Sequence, residues 1–527
     1  DPKVIIDNCI TEQKKLLMGF GGNDNVDKDK LKESMNPLHF AISLTGEPTI
    51  YPKLSELIAD LNTRKFSTFV VTNGMEPKVL KNIEPPTQLY LSVDAPSKEL
   101  FEKIVKIAQN RGFVFNASSI YGGLRSSYDY GPLGTLLKNN IAELWWKSLK
   151  TTEVKIYPVD TAIIQSTEVW KASGHLSEFT DPMVECKNCN SRFRSDSEPE
   201  VTCCDTQDLT EPKNFNLMFE TNLGPVQNEN SQVYLRPETA QGIFVNFENV
   251  LRTMRAKLPF GIANIGKSFR NEITPGQFVF RTREFEQMEI EFFCKEDESE
   301  EWMKYWTQKR LDWYIKLGLK KNFLRLRPHE ADELAHYAKS TTDIEYLYPW
   351  GWGELEGVAN RGNYDLAAHQ EKSGKDLTYF DPQDNSKHLP TVIEPAGGLT
   401  RTVFAILLST YEEEQLESGD SRTLFKMSFE IAPIQIAILP LSKKEELINV
   451  CNQIDLLLGP LYRTEIDITQ SIGKRYRRQD EIGTPNCITV DFDSLDDECV
   501  TIRNRDTMKQ ERVAIDKLQK FITSSVL

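Results

Sequence analysis

The sequence lacks the features of a membrane or secreted protein. No apolar run approaches the roughly 20 residues that a membrane-spanning helix needs. The first residues, Asp1-Pro2-Lys3-Val4, have no signal-peptide pattern, and the missing initiator Met suggests a fragment at this end. Nine cysteines in 527 residues are too few for a disulfide scaffold, and the only CxxC pair, Cys186 with Cys189, favours reduced thiols or a metal. We therefore expect no membrane contact and a cytoplasmic location.

The chain also lacks an excess of positive charge. It has 63 Lys and Arg against 78 Asp and Glu, a formal net charge of −15. A general polyanion binder neutralises many phosphates with a basic surface, so any nucleic-acid contact here must be local. The strongest basic cluster is Lys474-Arg475-Tyr476-Arg477-Arg478, near the C-terminus. It predicts either a nucleic-acid contact or the solvated face of a helix.

Residues 1–98 differ in pattern from the rest of the chain. Apolar runs at 39–44, 69–74 and 89–93 predict short buried strands, and a helical segment lies at about 54–62. This order predicts a piece of a parallel β/α sheet. It has no obvious closing elements, so a sheet edge and one face would stay uncovered.

Residues 101–430 combine long helices with strands. Helical patterns at 134–149 and 300–317 occur together with strand patterns at 284–294 and 391–394. We interpret this region as an α+β domain, in which helices flank an antiparallel sheet.

Residues 432–527 are predicted to form a separate, compact α/β domain. Its expected elements are strand 434–439, helix 443–458, strand 464–468, helix 473–481, strands 487–491 and 499–503, and helix 514–524.

Two segments rich in Arg and Glu lie in the middle of the chain. They are Gly266-Lys267-Ser268-Phe269-Arg270-Asn271-Glu272 and Phe280-Arg281-Thr282-Arg283-Glu284-Phe285-Glu286-Gln287-Met288-Glu289. The pattern predicts an antiparallel strand pair with charged residues on an inward face, where unpaired charges are costly. A nucleotide would supply partners, because Arg binds phosphate oxygens with a planar fork and stacks on purines. An internal Arg/Glu ladder is the alternative.

A third segment is Thr391-Val392-Ile393-Glu394-Pro395-Ala396-Gly397-Gly398-Leu399-Thr400-Arg401, followed by a predicted helix at 402–411. A glycine-rich turn before a helix lets the backbone approach a ligand, and Arg401 lies near the helix start. The segment therefore predicts a second ligand contact.

Together these segments resemble the second and third signature motifs of class II aminoacyl-tRNA synthetases, and Tyr130-Gly131-Pro132-Leu133-Gly134 resembles the first. Within that class, residues 101–527 are similar to glycyl-tRNA synthetases of the homodimeric type. The other supporting strings are Arg111-Gly112-Phe113-Val114-Phe115, Ile120-Tyr121-Gly122-Gly123-Leu124, Gly174-His175, Leu235-Arg236-Pro237-Glu238-Thr239-Ala240-Gln241-Gly242, Gly351-Trp352-Gly353-Glu354-Leu355 and Ser471-Ile472-Gly473-Lys474-Arg475-Tyr476-Arg477-Arg478-Gln479-Asp480-Glu481-Ile482-Gly483-Thr484-Pro485.

The resemblance implies a class II catalytic domain over 101–430, with an insertion shortened at about 186–212, and an anticodon-binding domain over 432–527. It implies a glycine–tRNA ligase, which activates glycine to glycyl-adenylate with ATP and Mg²⁺ and transfers it to tRNA(Gly) in translation. A homodimer is implied as well. The residues implied to contact tRNA are Lys474, Arg475, Arg477 and Arg478.

The resemblance also places ATP. Arg270 would meet the α-phosphate, where charge builds as the glycine carboxylate attacks, and Arg401 the γ-phosphate. Phe285 would stack on adenine. Glu354 and Glu394 are candidates for binding Mg²⁺ directly or for accepting hydrogen bonds from the groups that do. The implied ATP-binding residues are Arg270, Asn271, Glu272, Phe280, Arg281, Thr282, Arg283, Glu284, Phe285, Glu354, Leu355, Gly398, Leu399, Thr400 and Arg401.

The implied chemistry requires no acid or base, because a carboxylate is already a nucleophile. Positioning should supply the catalysis, and the predicted catalytic residues are Arg270, Glu272 and Arg401.

Glycine has no side chain to hold, so its site must exclude larger amino acids while binding the ammonium and carboxylate. Glu238, Glu289 and Glu394 match the positions that face the ammonium in the family; structural carboxylates paired with Arg are the alternative. Ala396 stands where the family usually has Ser, which removes a contact of about 1 kcal/mol if that hydroxyl made a net hydrogen bond. The implied glycine-binding residues are Arg194, Glu238, Phe285, Glu286, Gln287, Met288, Glu289, Glu394, Pro395, Ala396, Gly397 and Gly398.

Four cysteines fall where many family members hold zinc with two CxxC pairs. They are Cys186, Cys189, Cys203 and Cys204. The second pair is adjacent, whereas a tetrahedral site needs a spacer within each pair so that both sulfurs reach one metal. Reduced thiols are therefore favoured over zinc.

The N-terminal segment resembles part of the radical S-adenosylmethionine enzyme that makes 4-demethylwyosine in tRNA. The resemblance rests on His39-Phe40-Ala41-Ile42-Ser43-Leu44-Thr45-Gly46-Glu47-Pro48, with Thr72-Asn73-Gly74 and Leu91-Ser92-Val93-Asp94-Ala95-Pro96. That family binds an iron–sulfur cluster with three cysteines, but this segment has only Cys9. We expect no iron–sulfur cluster and no separate catalysis from it.

Two other hypotheses remain beside an active ligase. One is a catalytically poor RNA-binding or scaffold protein on a synthetase fold, suggested by Ala396 and the shortened insertion. The other is a bifunctional tRNA-modifying fusion, which would contain iron and sulfide.

Overall fold

The computed structural model describes residues 2–18, 20, 26–42, 48–72, 77–91, 98–150, 154–195, 208–225, 231–335, 337–382, 385–416 and 419–526. The chain divides into two compact units, Asp1–Ser97 and Lys98–Leu527. Within the described ranges, no helix is both long and apolar enough to cross a membrane.

The first unit contains a small parallel sheet. Its strands lie in the order β1-β2-β3, and both pairings are parallel, as the sequence predicts. Helix α3 covers the sheet because Leu54, Leu57, Ile58 and Leu61 recur at helical spacing and are buried. The elements are α1 Pro2–Met18, α2 Lys28–Ser34, β1 His39–Ile42, α3 Leu54–Thr63, β2 Ser67–Thr72, α4 Pro77–Asn82 and β3 Gln88–Leu91.

The second unit begins with the region in which the sequence predicts a catalytic domain. Its elements are α5 Lys98–Asn110, β4 Val114–Asn116, β5 Tyr128–Tyr130, α6 Pro132–Leu149, β6 Lys155–Pro158, β7 Ile164–Gln165, α7 Thr167–Ala172, α8 His175–Glu178, β8 Thr180–Glu185, β9 Arg192–Arg194, β10 Lys213–Asn216, β11 Phe219–Asn222, β12 Gln232–Leu235, α9 Ala240–Phe244, α10 Phe247–Met254, β13 Phe260–Phe269, β14 Glu284–Cys294, α11 Ser299–Leu317, β15 Leu324–Pro328, β16 Ser340–Tyr348, β17 Gly351–Gly362, α12 Tyr364–Ser373, β18 Tyr379–Asp381, β19 Ser386–His388, β20 Thr391–Gly398, α13 Leu399–Thr410, β21 Tyr411–Gln415 and β22 Ser421–Phe425.

A seven-stranded sheet organises this region, with the strand order β15-β16-β17-β20-β14-β13-β6. All neighbours are antiparallel except β13 and the edge strand β6. Helices α6, α11 and α13 contribute to the main hydrophobic core with this sheet. The predicted α+β architecture, an antiparallel sheet flanked by helices, is confirmed.

Successive side chains of strand β14 point alternately into the hydrophobic core and to the opposite face of the sheet. Met288, Ile290 and Phe292 lie in the main core, while Glu289 and Glu291 point to the opposite face because strand side chains alternate. The sequence predicts this strand with the bounds that the structure has, Glu284–Cys294.

Strand β20 is longer than its predicted span, 391–394. It continues to Gly398 because the two glycines keep pairing with Met288 and Gln287 of β14 instead of forming a turn. Helix α13 consequently begins at Leu399 with Gly398 as its N-cap, and Arg401 lies in its first turn.

The C-terminal part folds as an α/β module with strand order β24-β23-β25-β26-β27. The predicted helix over 514–524 is wrong at its start. Residues Gln510–Ala514 form an edge strand, and the helix begins only at Leu518. The sequence does not reveal this strand because apolar and polar residues do not alternate along it. The elements are β23 Ile436–Pro440, α14 Glu445–Leu458, β24 Thr464–Ile466, α15 Ile472–Ile482, β25 Asn486–Val490, α16 Ser494–Asp497, β26 Cys499–Asn504, β27 Gln510–Ala514 and α17 Leu518–Val526.

Candidate functional site

An open cleft with a cavity volume of about 80 Å³ lies where β14, β20 and the start of α13 meet. Most of the predicted ATP-binding residues and several predicted glycine-binding residues line it. The lining residues are Arg270, Glu272, Phe280, Arg281, Thr282, Phe285, Glu286, Gln287, Glu354, Ala396, Gly397, Gly398, Thr400 and Arg401.

Arg270 is held at one side of the cleft, just after β13. Its Nε donates to the carbonyl oxygen of Pro237 at 3.1 Å. The guanidinium lies 5.3 Å from the ring centroid of Phe179 and 5.4 Å from that of Phe285. Its terminal nitrogens make no hydrogen bond to any described residue, so they are available to an anionic ligand in the cleft.

Arg401 is held at a second side of the cleft by Phe280 and Glu354. Its Nε donates to the carbonyl oxygen of Phe280 at 3.2 Å, and the guanidinium lies 4.5 Å from that ring. Its Nη1 donates to the carbonyl and carboxylate oxygens of Glu354 at 3.0 and 3.1 Å. Although desolvation acts in the opposite direction, Arg401 holds the pKa of Glu354 below its usual value.

Glu272 and Arg281 form an ion pair within the loop that joins β13 and β14. The Arg281 Nε and Nη2 atoms lie 2.8 and 2.6 Å from Glu272 Oε2. The pair ties the two sides of the loop together, so it orders the cleft wall before a ligand arrives.

Beside the cleft, buried carboxylates surround Arg361, a residue of β17 that the sequence motifs do not single out. Arg361 donates from Nε and Nη2 to Asp365 at 2.8 and 2.9 Å and from Nη1 to Glu394. Its Nη2 lies 3.7 Å from Glu238 Oε1. Gln287 and Ala396 line the cleft and also adjoin this pocket, since Gln287 donates to Glu289 at 2.7 Å and Ala396 pairs with Glu289 across the strands.

Glu238 is ionised in this pocket. Its Oε1 accepts from Gln241 at 3.0 Å, and its Oε2 lies 3.5 Å from His175 Nε2. Burial raises the pKa of a carboxyl group, but His175, Arg361 and Gln241 outweigh it and hold the pKa of Glu238 well below its usual value.

Glu289 and Glu394 behave in the opposite way. Burial and the negative charge of Glu238 raise the pKa of Glu289 to about 7, although Thr239 donates to it from its backbone and its hydroxyl group. Burial raises the pKa of Glu394 to about 8 despite its bond to Arg361. Near neutral pH the pocket therefore holds protons that a bound cation would displace.

Glu291 is a further buried carboxyl on the same face of β14. Among the described residues, neither of its oxygens has a hydrogen-bond partner, and burial followed by the charge of Glu394 raises its pKa well above the usual value. With Asp365, five buried carboxyl groups share the pocket with Arg361. The available sequence signal was a lone Arg in the strand-like run 357–361, a few residues after the predicted ATP-binding residues Glu354 and Leu355.

Some predicted site residues have side chains away from the cleft. Met288, Leu355 and Leu399 lie in the main hydrophobic core, so only their backbones face the site. Glu286 lines the cleft but pairs with Lys138 of α6 at 2.7 Å. Arg194 lies in a separate three-stranded sheet and pairs with Asp181 at 3.0 Å.

Of the four cysteines at the predicted zinc or thiol site, two lie among the described residues. Cys186 is buried, whereas Cys189 is exposed with its thiol 3.1 Å from the Ser191 hydroxyl. Cys203 and Cys204 lie outside the described residues. In the described ranges, no three His, Cys, Asp or Glu side chains are arranged to hold a metal ion. That these cysteines are reduced thiols and not zinc ligands stays a prediction.

The C-terminal basic cluster is divided by helix α15. Lys474 and Arg477 are exposed, the latter 3.1 Å from Asp420. Arg475 is buried, where its Nη1 donates to the carbonyl oxygens of Pro440 and Asp467 at 2.7 and 2.9 Å. Arg478 pairs with the Asp467 carboxylate. Two of the four basic residues, Arg475 and Arg478, therefore stabilise the C-terminal module itself.

Two family models match the chain. Residues 219–411 match the tRNA synthetase class II core domain (G, H, P, S and T), and residues 435–525 match the anticodon binding domain. The first match contains β13, β14, β17 and β20, which form the cleft and the carboxylate pocket.

Curated relatives match most of the chain. The glycine–tRNA ligase of Caldanaerobacter subterraneus is 50% identical over 457 residues, which are 81% of this chain and 98% of the relative. The glycine–tRNA ligases of Clostridium acetobutylicum and Acetivibrio thermocellus are each 50% identical, over 81% and 80% of this chain and 99% and 98% of their own lengths. This chain belongs to the glycine–tRNA ligase family. Membership confirms the predicted class II core and the C-terminal anticodon-binding domain.

The resemblance of the N-terminal segment to a radical S-adenosylmethionine enzyme stays a prediction. Its Gly46 and Glu47 lie outside the described residues. Cys9 lies on α1 and is exposed.

Proposed function

We propose that this chain activates glycine with ATP in the cleft between Arg270 and Arg401 and then transfers it to tRNA(Gly). One observation supports this most directly: a pocket with five buried carboxyl groups and one Arg adjoins a cleft flanked by two arginines. The first suits a small ammonium group, and the second suits a polyphosphate.

ATP would lie along the cleft with its adenine against Phe285. Arg270 would contact the α-phosphate with its terminal nitrogens. The γ-phosphate would meet Arg401 and the backbone N–H groups at the start of α13, since a helix N-terminus favours anions. Glu354, ionised and at the cleft wall, fits the oxygen ligands that Mg²⁺ prefers, and the ion would neutralise the triphosphate.

The glycine carboxylate would attack the α-phosphorus, forming one P–O bond as the bond to the pyrophosphate oxygen breaks. The departing pyrophosphate takes the bonding electron pair, so no proton moves in this step. Arg270 would stabilise the charge that develops on the α-phosphate oxygens. The 3′-terminal hydroxyl of tRNA would then attack the glycyl carbonyl carbon: the ester C–O bond forms as the bond to the AMP oxygen breaks, AMP takes the electron pair, and the hydroxyl proton is released.

Glycine would place its ammonium among Glu238, Glu289 and Glu394. Glu238 is already ionised, while Glu289 and Glu394 lose protons as the ammonium arrives. Ala396, opposite Glu289, offers only a methyl group, so any polar contact from the usual Ser is missing here. We keep Arg194 as a predicted glycine contact that would require a movement of its sheet.

The C-terminal module would hold the anticodon. Lys474 and Arg477 are the exposed members of the basic cluster and are proposed as phosphate contacts, whereas Arg475 and Arg478 would support helix α15 from within. Homodimerisation stays a prediction from the family resemblance, and a cytoplasmic location stays a prediction from the composition of the sequence.

Glycine-dependent exchange of pyrophosphate into ATP tests the proposal. We expect exchange with glycine and Mg²⁺, and none above background with alanine or serine. Purified, folded protein without glycine-dependent exchange would favour the scaffold hypothesis instead. An iron and sulfide assay on anaerobically purified protein tests the bifunctional hypothesis in the same preparation.

The KM for glycine is expected to fall as the pH rises. As the pH falls, Glu394 gains a proton around pH 8 and Glu289 around pH 7, and each then loses the negative charge that attracts an ammonium. Because the ammonium displaces both protons, the KM for glycine should fall by up to about tenfold per pH unit between these two pKa values and more steeply below them. Exchange kinetics between pH 6.5 and 8.5 measure this, and the KM for ATP is the internal control. A flat profile for glycine would contradict the assignment.

A further inference from the structure

Gln241 connects the proposed glycine pocket to helix α12. Its side-chain amide donates to Glu238 Oε1 at 3.0 Å and to Asp365 Oδ1 at 2.8 Å. Its amide oxygen lies 2.8 Å from His369 Nε2. Gln241 is fully buried, and Asp365 and His369 are nearly so. Every polar atom of this amide therefore has a partner inside the protein.

The two carboxylates determine the orientation of the amide. If the side-chain amide of Gln241 were rotated by half a turn, its oxygen would face the carboxylates of Glu238 and Asp365. Both hydrogen bonds would then be replaced by repulsion between oxygen atoms. With the NH₂ group directed at the carboxylates, the oxygen needs a donor, and among the described residues the Nε2–H of His369 is the donor that reaches it.

His369 suits this task as a neutral imidazole. Burial, with Arg361 as a further contributor, lowers the pKa of His369, although Asp365 raises it. One ring nitrogen then donates and the other does not, and the contact with Gln241 selects Nε2–H. His369 and Asp365 are four residues apart on α12, so the helix presents both to Gln241 on one face.

We propose that Gln241 and His369 are positioning residues that hold the Glu238 carboxylate in place for the glycine ammonium. The proposal rests on the proposed role of Glu238. Glu238 precedes helix α9, and its Oε1 has Gln241 as its hydrogen-bond donor, with Arg361 farther away at 3.7 Å. Loss of the His369 donor would leave the Gln241 oxygen unsatisfied and free the amide to rotate away from Glu238.

A matched pair of variants tests this. The Gln Nε2 atom reaches about as far as His Nε2, whereas the Asn Nδ2 atom reaches only as far as His Nδ1. We expect His369→Asn to raise the KM for glycine in pyrophosphate exchange about tenfold, while His369→Gln stays close to the unchanged protein. The KM for ATP should not change in either. Gln370→Ala is the control for general disturbance, because Gln370 is also on α12 and its side-chain oxygen accepts a hydrogen bond from the backbone N–H of Leu377, beyond the end of the helix.

Glu238→Gln separates this proposal from the proposed function. If Glu238 binds the ammonium, Glu238→Gln itself raises the KM for glycine, and adding His369→Asn has no further effect. If Glu238→Gln leaves that KM unchanged, the role of Glu238 fails. If it raises the KM but His369→Asn and His369→Gln behave alike, only the positioning role fails. Should His369→Asn not fold, Gln241→Met replaces it, and an unchanged KM for glycine there overturns the proposal.

Discussion

Replacing Arg270 with Ala is expected to lower kcat for glycine-dependent pyrophosphate exchange by about 100- to 1,000-fold. Arg270 is held by Pro237, Phe179 and Phe285 with its terminal nitrogens directed at the proposed α-phosphate position. A fixed donor for charge that develops in the transition state typically contributes about 3–4 kcal/mol. Because its stabilisation grows as the bond forms, kcat should fall more than the KM for either substrate rises.

Two further variants make this result interpretable. Arg270→Lys keeps the charge but loses the planar fork, so we expect it to recover only part of the rate. Arg252→Ala removes an exposed Arg on α10, away from the cleft, and should leave exchange unchanged. Full activity in Arg270→Ala would show that the α-phosphate lies elsewhere.

Replacing Arg361 with Met is expected to lower the free energy of unfolding by about 3–5 kcal/mol and to abolish detectable glycine activation. Within the described pocket, Arg361 binds Asp365 and Glu394 and lies beside the ionised Glu238, so its loss leaves these buried carboxyl groups without their cationic partner. The eight tryptophans all lie between Trp145 and Trp352, so urea unfolding followed by their fluorescence reports on the catalytic region alone.

The control is another buried arginine. Arg422 pairs with Glu414 and Asp480 far from the carboxylate pocket in the fold. Arg422→Met should destabilise the protein as well, but molecules that remain folded at low temperature should keep their KM for glycine. An Arg361→Met protein with unchanged unfolding free energy and exchange would contradict the assigned role of Arg361.

The cleft was largely predictable from sequence because its residues form continuous motifs. The alternation along 284–294 predicts a strand with an apolar face and a charged face, and the structure confirms both. Local pattern was less informative at Gly397 and Gly398. Glycines favour a turn by propensity, but pairing with β14 keeps these two extended, a tertiary effect that no local signal contains.

Tertiary packing also decides which residues of the basic cluster are exposed, so the sequence could not predict this. Five residues with four positive charges predict a surface contact, yet burial depends on which face of α15 packs against the sheet. Arg475 lies on that inner face and Arg477 does not. The edge strand β27 was missed for a related reason, since its polar residues pair through the backbone alone.

By itself, the sequence determined the family and the two matched domains, and it predicts an ammonium site at Glu238, Glu289 and Glu394, because short motifs record which side chains the chemistry needs. Only the tertiary structure decided that Arg361 lies at their centre and that Gln241 links Glu238 to His369. Those contacts join residues that are 33, 124 and 128 positions apart. Their ionisation depends on how β14, β17, β20, α9 and α12 exclude water around them, and burial of that kind exists only once the chain has folded.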